Sequence, residues 1–499
     1  MPYDHLADFL SDLHDSGELI RVAAEVDPVL EIAAITDRIT QSADGGPALL
    51  FENVKQTALP VAVNLLGSEK RMCRALGVAD VEEVAHRVSG LIRPALPDGW
   101  LEKLKLLPQF SQLTNLPPKT VATAISQQVV KVGRDIDLGE LPQLHCRPKE
   151  TAPFITRGQI HTVDPVTGTR HVGNVPLEIR GATSALVHWT PHDVGFQNFR
   201  KTCQLGKQTP VAVSLGGDPL LDFICTLPLP ADSDPLVFGG FLRDKNIEVV
   251  ACRSVELQAP AHAEIVLEGY IDALQELQPG SEFGSRTGFY SPRMPRPLLQ
   301  LTALTHRANP VFPTTVYGQP PREEYWMNRA VQRIFRPLIK LFLPEIEDFH
   351  LPRSGAGRNI CFVSINKTYP QQARKVMNGI WSLNQLMYSK LVVVVDAGVD
   401  LHNEEQVWFQ VGANLDPARD VFQTSGPADY LDHANAIAGT GAKIGLDATT
   451  KFPEETQSRP WPSQLDMPQE IVDLIERRWP EYKIGQIPTR EDENPPQNS

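Results

Sequence analysis

His171, Arg180, His188 and His192, side chains able to move a proton or to hold an anion or a metal, all fall inside residues 155–200. Histidine titrates nearest neutrality and is the commonest metal ligand. Arginine grips carboxylates and phosphates with a planar fork of donors. The stretch reads as three strand-like runs, at residues 159–163, 171–180 and 185–189. Asp164-Pro165-Val166-Thr167-Gly168 separates the first two, and Arg180-Gly181-Ala182-Thr183-Ser184 the last two, both turn compositions. The spacing predicts a β-meander whose side chains alternate between two faces.

The rest of the chain must position that stretch. With 499 residues it is too long for one ordinary core, so two or three domains are expected. Hydrophobic residues at 41% and charged residues at 21% indicate a globular protein. A formal charge of −13 argues against nucleic acid or an anionic membrane surface as the main partner. No apolar run reaches the roughly 18 residues of a membrane span. The first twenty residues are acidic and amphipathic, unlike a signal peptide. The six cysteines are scattered without a C-x-x-C pair, which predicts reduced thiols in a cytoplasmic protein.

An α/β domain is expected over residues 1–115. Its helices are read at the amphipathic start (Leu6, Phe9, Leu10, Leu13) and at 30–41 and 81–92, its strands at 19–22, 48–51 and 61–64. Residues 116–320 carry many short strands separated by Gly and Pro. They include 211–215, 223–230, a hairpin over 238–243 and 247–252, 263–269 and 300–307. That pattern predicts an antiparallel β-barrel. A linker helix is expected over 321–346, kinked or interrupted at Pro337. Within 347–485, apolar strands at 360–365 and 391–396 flank a helical stretch. This is a βαβ unit, and so an α/β domain with a mainly parallel sheet. Helices follow at 405–412 and 468–479, and residues 486–499 read as a disordered tail.

The central stretch resembles the heart of the UbiD-type decarboxylases, which use prenylated FMN. Arg170, Val172, Gly173, His188, Trp189 and His192 fall in the register of that family's motif, R-N-V-G-x-Y-R followed by H-W and a further histidine. AEIVLEGY at 263–270, EFGSRTGFYSP at 282–292 and GAKIGLDAT near the end are close to family segments. The resemblance implies that the central domain is a split β-barrel holding the flavin and that the C-terminal α/β domain has an oligomerising role. It implies Gly173, Asn174 and Val175, with Thr226 and Leu227, as the cofactor-contacting backbone, joined by His192 and by Lys390 as a phosphate partner. It also implies a divalent metal (Mn, Fe or Mg) and K+ beside the phosphate. The family's Asn, His and Glu ligands correspond to His171, His192 and Pro235. Asp234 adjoins the last, so the candidate metal set is His171, His192 and Asp234, with a preference shifted towards Fe, Mn or Zn. The alternative is that His171 and Asp234 are surface or hydrogen-bonded residues.

The chain departs from the family at its catalytic trio. The family's arginine is Pro176, and its two carboxylate positions are Gly280 and Ser285. Proline has no donor and cannot pair with a carboxylate. Glu282, Arg286 and Arg180 are the candidate replacements; their alternatives are an ordinary loop pair and a solvated strand-end arginine. Two readings follow. One is an active carboxy-lyase that decarboxylates, or reversibly carboxylates, an aromatic acid carrying its own activating group. Phthaloyl-CoA is an example, or a phenol or phenyl-phosphate substrate. The other is a non-catalytic paralogue scaffolding an active subunit; a flavin carrier is a third. The expected partners are an aromatic acid or aryl-CoA substrate and a flavin prenyltransferase supplying the cofactor. Further copies of the chain in a dimer or hexamer, or family paralogues in a hetero-oligomer, complete them.

Overall fold

The structure, a computed structural model, describes residues 3–92, 116–457, 459–463, 465, 467–482 and 484. The chain forms two compact units, residues 1–449 and 450–499. In the second, the described helix is Gln469–Arg478. The tail expected over 486–499 lies outside the described residues.

The first unit begins with helix Leu6–Asp15, which buries Leu6, Phe9, Leu10 and Leu13 along one face as their spacing dictates. It leads into a four-stranded sheet of Leu19–Val26, Ala48–Val54, Val61–Val63 and, from far along the chain, Phe312–Thr314. The last pairs in parallel with Val61–Val63. Residues expected to belong to separate domains therefore share one sheet.

The central sheet has nine strands: β1 (Val129–Val132), β2 (Phe154–Ile155), β3 (Gln159–Val163), β4 (Arg170–Asn174), β5 (Leu177–Gly181), β6 (Ser184–Val187), β7 (Thr209–Leu215), β8 (Ile265–Ile271) and β9 (Leu298–His306). Their order is β2-β5-β6-β9-β8-β7-β3-β4, with β1 against β9. The sheet curls into the expected split barrel. The expected meander is not formed. β3 pairs with β4 and β5 with β6, but β4 and β5 lie near opposite ends of the order. The run expected at 171–180 breaks at Val175-Pro176, where proline cannot donate to a ladder. The chain there crosses the split of the barrel.

Two further expectations are corrected. The strand read at 223–230 is the end of helix Pro219–Ile224 followed by loop, and the hairpin arm at 238–243 is helix Pro235–Arg243. Each opens with an aspartate cap and proline in the first turn. Asp218 accepts from the Leu220 amide at 2.8 Å and Asp234 from the Leu236 amide at 2.9 Å. The Asp-Pro-Leu triplet carries this start signal in sequence, but the apolar residues after it resemble a buried strand.

Helix Glu323–Phe342 continues past Pro337 and ends before strand Ile346–His350. A five-stranded sheet follows, in the order Ile346–His350, Ile360–Ile365, Leu391–Asp396, Thr440–Asp447, Val421–Pro427. The three inner strands are parallel and the edges antiparallel. Val392, Val393, Val394 and Val395 are all buried, because helices cover both faces of this sheet.

Candidate functional site

A cleft of about 330 Å³ opens against the crossing Val175-Pro176. Its walls come from β4, the His188–Val194 segment after β6, the end of helix Pro219–Ile224, the segment at 283–291, Arg296 of the short strand Pro295–Arg296, helix Glu323–Phe342, and Arg358, Tyr388 and Asp429–Leu431 of the C-terminal sheet region. The split barrel and the parallel sheet thus enclose one site.

Gly173, Asn174, Val175, Thr226, Leu227, His171, His192 and Arg286 all line this cleft. A side chain at Gly173 would press its Cβ to 2.9 Å from His171 Nε2, so glycine keeps this wall flat. Burial pushes the His171 imidazole down to about 4. His192 packs against Tyr430 and Tyr388, with ring centroids 5.0 and 5.4 Å away, and its Nε2 is buried without a partner.

Glu282, Arg180, Lys390 and Asp234 are not among the lining residues. Glu282 is half-buried, and its neighbours take the inward positions: Ser281 bonds Glu178 and Phe283 lines the cleft. Arg180 stands outside, 3.0 Å from the Glu178 carboxylate and donating to the Pro279 carbonyl at 2.5 Å. Lys390 is held by Asp432 at 3.0 Å. Asp234 is used as a helix cap and pairs with Arg170 at 3.0 Å. Among the described residues, no group of three His, Cys, Asp or Glu side chains is placed to hold a metal ion. The set His171, His192 and Asp234 is therefore not assembled, because Asp234 faces Arg170. Arg286 reaches the cleft but is neutralised there by Asp429 and by Glu324 at 3.3 Å. Burial works to lower its proton affinity, and the two carboxylates outweigh it, so the guanidinium stays charged.

The sequence reading missed several groups. Arg157 is buried between Asp222 at 2.8 Å and Glu323 at 2.6 Å. Glu178, two residues past Pro176 on β5, is fully buried. It accepts from the Ser281 amide at 2.9 Å and hydroxyl at 2.6 Å, and lies 2.9 Å from His188 Nε2. Burial would raise this carboxyl, but the His188 and Ser281 hydrogen bonds prevail and bring it down to about 2. Arg296 lines the cleft, donates to the Trp189 carbonyl, and makes no ion pair among the described residues. Asp193 is engaged by the Thr190 amide and hydroxyl at 2.6 and 2.8 Å, and burial raises its carboxyl. Strand alternation from Pro176 points to Glu178. Nothing local points to Arg296.

A Cβ built on Gly280 would lie 3.0 Å from Arg296 Cγ and 3.6 Å from Glu178 Oε2. The missing side chain is the room those two groups occupy. Nε atoms of Arg296 and Arg358 are also buried without hydrogen-bond partners, as is His192 Nε2. A flat glycine wall, aromatic sides and unused donors fit an aromatic ligand that carries anionic groups.

Comparison with known proteins identifies the family. Residues 10–88, 119–320 and 325–448 match the models of the N-terminal, Rift-related and C-terminal domains of 3-octaprenyl-4-hydroxybenzoate carboxy-lyase, UbiD. An uncharacterized protein of Aquifex aeolicus is 40% identical over 477 residues, 96% of this chain and 98% of that protein. One of Archaeoglobus fulgidus is 38% identical, covering 97% and 99%. Among solved structures, an evolved dimeric form of the UbiD-class enzyme HmfF from Pelotomaculum thermopropionicum, in complex with prenylated FMN, is 26% identical. Its TM-score is 0.76, covering 94% of this chain and 98% of that one. The vanillic acid decarboxylase of Sedimentibacter hydroxybenzoicus in closed form shares the fold, with TM-score 0.84 at 24% identity, covering 97% and 100%.

Proposed function

The chain belongs to the UbiD family, and from that premise we propose that it removes, or reversibly adds, the carboxylate of an aromatic acid with prenylated FMN as cofactor. The observation that carries this reading is the cleft across the barrel split, walled by Gly173, Asn174 and Val175 and holding unused buried donors. When bound, prenylated FMN supplies the sink for the electron pair left on the ring carbon as CO2 departs. The chain's own residues do the rest. The backbone of Gly173–Val175 and the Thr226–Leu227 segment hold a flat ring system in place. The Arg358 Nε and the His192 Nε2 offer donors to its anionic end. Phe283 and Trp189 exclude water and so strengthen the electrostatics inside. The residues present do not form the expected metal set, and no step is assigned to a divalent metal or K+.

Pro176, Gly280 and Ser285 favour a substrate that brings its own activation, an aryl-CoA thioester such as phthaloyl-CoA or a phenol or phenyl-phosphate. We place a flavin prenyltransferase upstream as cofactor supplier and the working protein in a homo-oligomer or a hetero-oligomer with paralogues. The test is co-expression with a flavin prenyltransferase and purification without oxygen, read by absorption and intact cofactor mass. Stoichiometric prenylated FMN, then CO2 release from a panel of aromatic acids and thioesters, is expected. A protein that takes up no flavin even on reconstitution overturns the reading. The same three substitutions favour a second reading, a non-catalytic subunit of a carboxylase complex. That reading predicts that His171→Ala leaves the complex's turnover unchanged, whereas the carboxy-lyase reading predicts its loss.

A further inference from the structure

We propose that Arg296 receives the substrate carboxylate, and that His188, oriented by Glu178, delivers the proton to the carbon that loses it. The inference rests on the carboxy-lyase reading and assigns residues within the same cleft.

Arg296 is 4% exposed and lines the cleft. One terminal nitrogen donates to the Trp189 carbonyl, while Nε is buried with no partner. The nearest acids, Asp193 and Glu178, act on it only through space, because Thr190 engages the first and His188 and Ser281 engage the second. Burying a guanidinium without a counter-charge is costly, and burial already lowers its proton affinity to about 10. A carboxylate entering the cleft removes that cost and matches the fork of free donors.

The His188 ring lines the same cleft, edge-on to Phe154 at 5.2 Å and near Phe283 at 6.2 Å between centroids. Its Nε2 faces Glu178 at 2.9 Å, and Glu178 is itself fixed by Ser281. With Nε2–H given to the carboxylate, Nδ1 is the atom that takes up and releases a proton. The charged groups acting on the ring are Glu178, Arg296 and Arg180. Burial and the two arginines hold the ring neutral, and Glu178 opposes them. A carboxylate seated on Arg296 cancels one opposing charge, so substrate binding itself promotes protonation of His188. In the reaction the carbon–carboxylate bond breaks and CO2 leaves. The electron pair of that bond ends in a new C–H bond to the Nδ1 proton, and the ring recovers a proton from water.

The experiment titrates flavin-loaded protein with benzoate and, as a neutral isostere, benzamide. Nitrogen-labelled histidine NMR follows His188, its signal assigned by its loss in H188Q. Wild type is expected to bind benzoate the more tightly. R296Q should weaken benzoate roughly 10–100-fold with benzamide unaffected, and R296K should recover part of the loss. Benzoate should raise the His188 pKa in wild type and not in R296Q, as linkage requires. E178Q, a change to the positioning residue, should lower that pKa. R296Q binding benzoate as wild type does, or a His188 titration indifferent to benzoate, overturns the proposal. Flavin content is measured in every sample. A wild type that holds no flavin fails the carboxy-lyase reading, while the same benzoate titration still decides the role of Arg296.

Discussion

Arg157 and Arg296 line one cleft, both buried, with opposite surroundings. Arg157 lies between Asp222 and Glu323, which outweigh burial and keep it charged. Arg296 has a carbonyl for company and a bare Nε. Burial alone therefore does not separate scaffold from site. A buried cation whose charge is already balanced holds elements together: Arg157 ties β3's approach to helices Pro219–Ile224 and Glu323–Phe342. One left unbalanced is costly to the fold and ready for an anion.

The contrast is broken first, and most forcefully, at Arg157. Arg157→Leu leaves Asp222 and Glu323 buried without their cation and should cost about 3–5 kcal/mol in denaturant unfolding. Gly173→Ala should cost about 1–3 kcal/mol, since its Cβ would crowd the His171 ring at 2.9 Å. It should also reduce flavin retention, read from cofactor absorbance. The Glu178 carboxyl, near 2 in the fold and roughly 4.3 unfolded, sharpens the contrast through pH. A depressed pKa stabilises fully above the unfolded value and fades as pH falls towards the folded one. The gap in urea midpoint between wild type and Glu178→Gln should thus be largest near neutrality and shrink below about pH 4. Arg296→Met should leave the unfolding free energy unchanged or raise it by up to about 1 kcal/mol, because an unbalanced charge is removed. A loss as large as that at Arg157 would erase the distinction. Glu282→Gln should fall within about 0.5 kcal/mol and leave flavin and benzoate binding intact.

Legibility tracked how local each feature is. The strands at Ile360–Ile365 and Leu391–Asp396 were readable to the residue, because burial on both faces writes an uninterrupted apolar run. Helix Pro235–Arg243 was misread because its apolar content outweighed the Asp-Pro start. The glycine wall at 173 was visible as part of a motif. Glu282 was placed in the site by proximity in sequence, yet a one-residue step on an extended chain turns a side chain to the other face. Arg180 was placed by strand alternation from Pro176, yet Glu178 and the Pro279 carbonyl hold it outside the cleft.

By itself the sequence determined the family, the α/β modules around a split barrel, and the absence of an arginine at 176 and acids at 280 and 285. The modules follow from composition and periodicity; the family, the split in the barrel and the three altered positions follow from the resemblance that local motifs carry. Only the tertiary structure decided that Pro176 spans the barrel's opening. Only there does Glu178 on β5 meet His188, just past the end of β6, and does Arg296 join them on the short strand Pro295–Arg296, paired with Gln278–Pro279, in space left by Gly280. That meeting depends on which strands pair and in what register, and long-range pairing leaves no periodic trace along the chain.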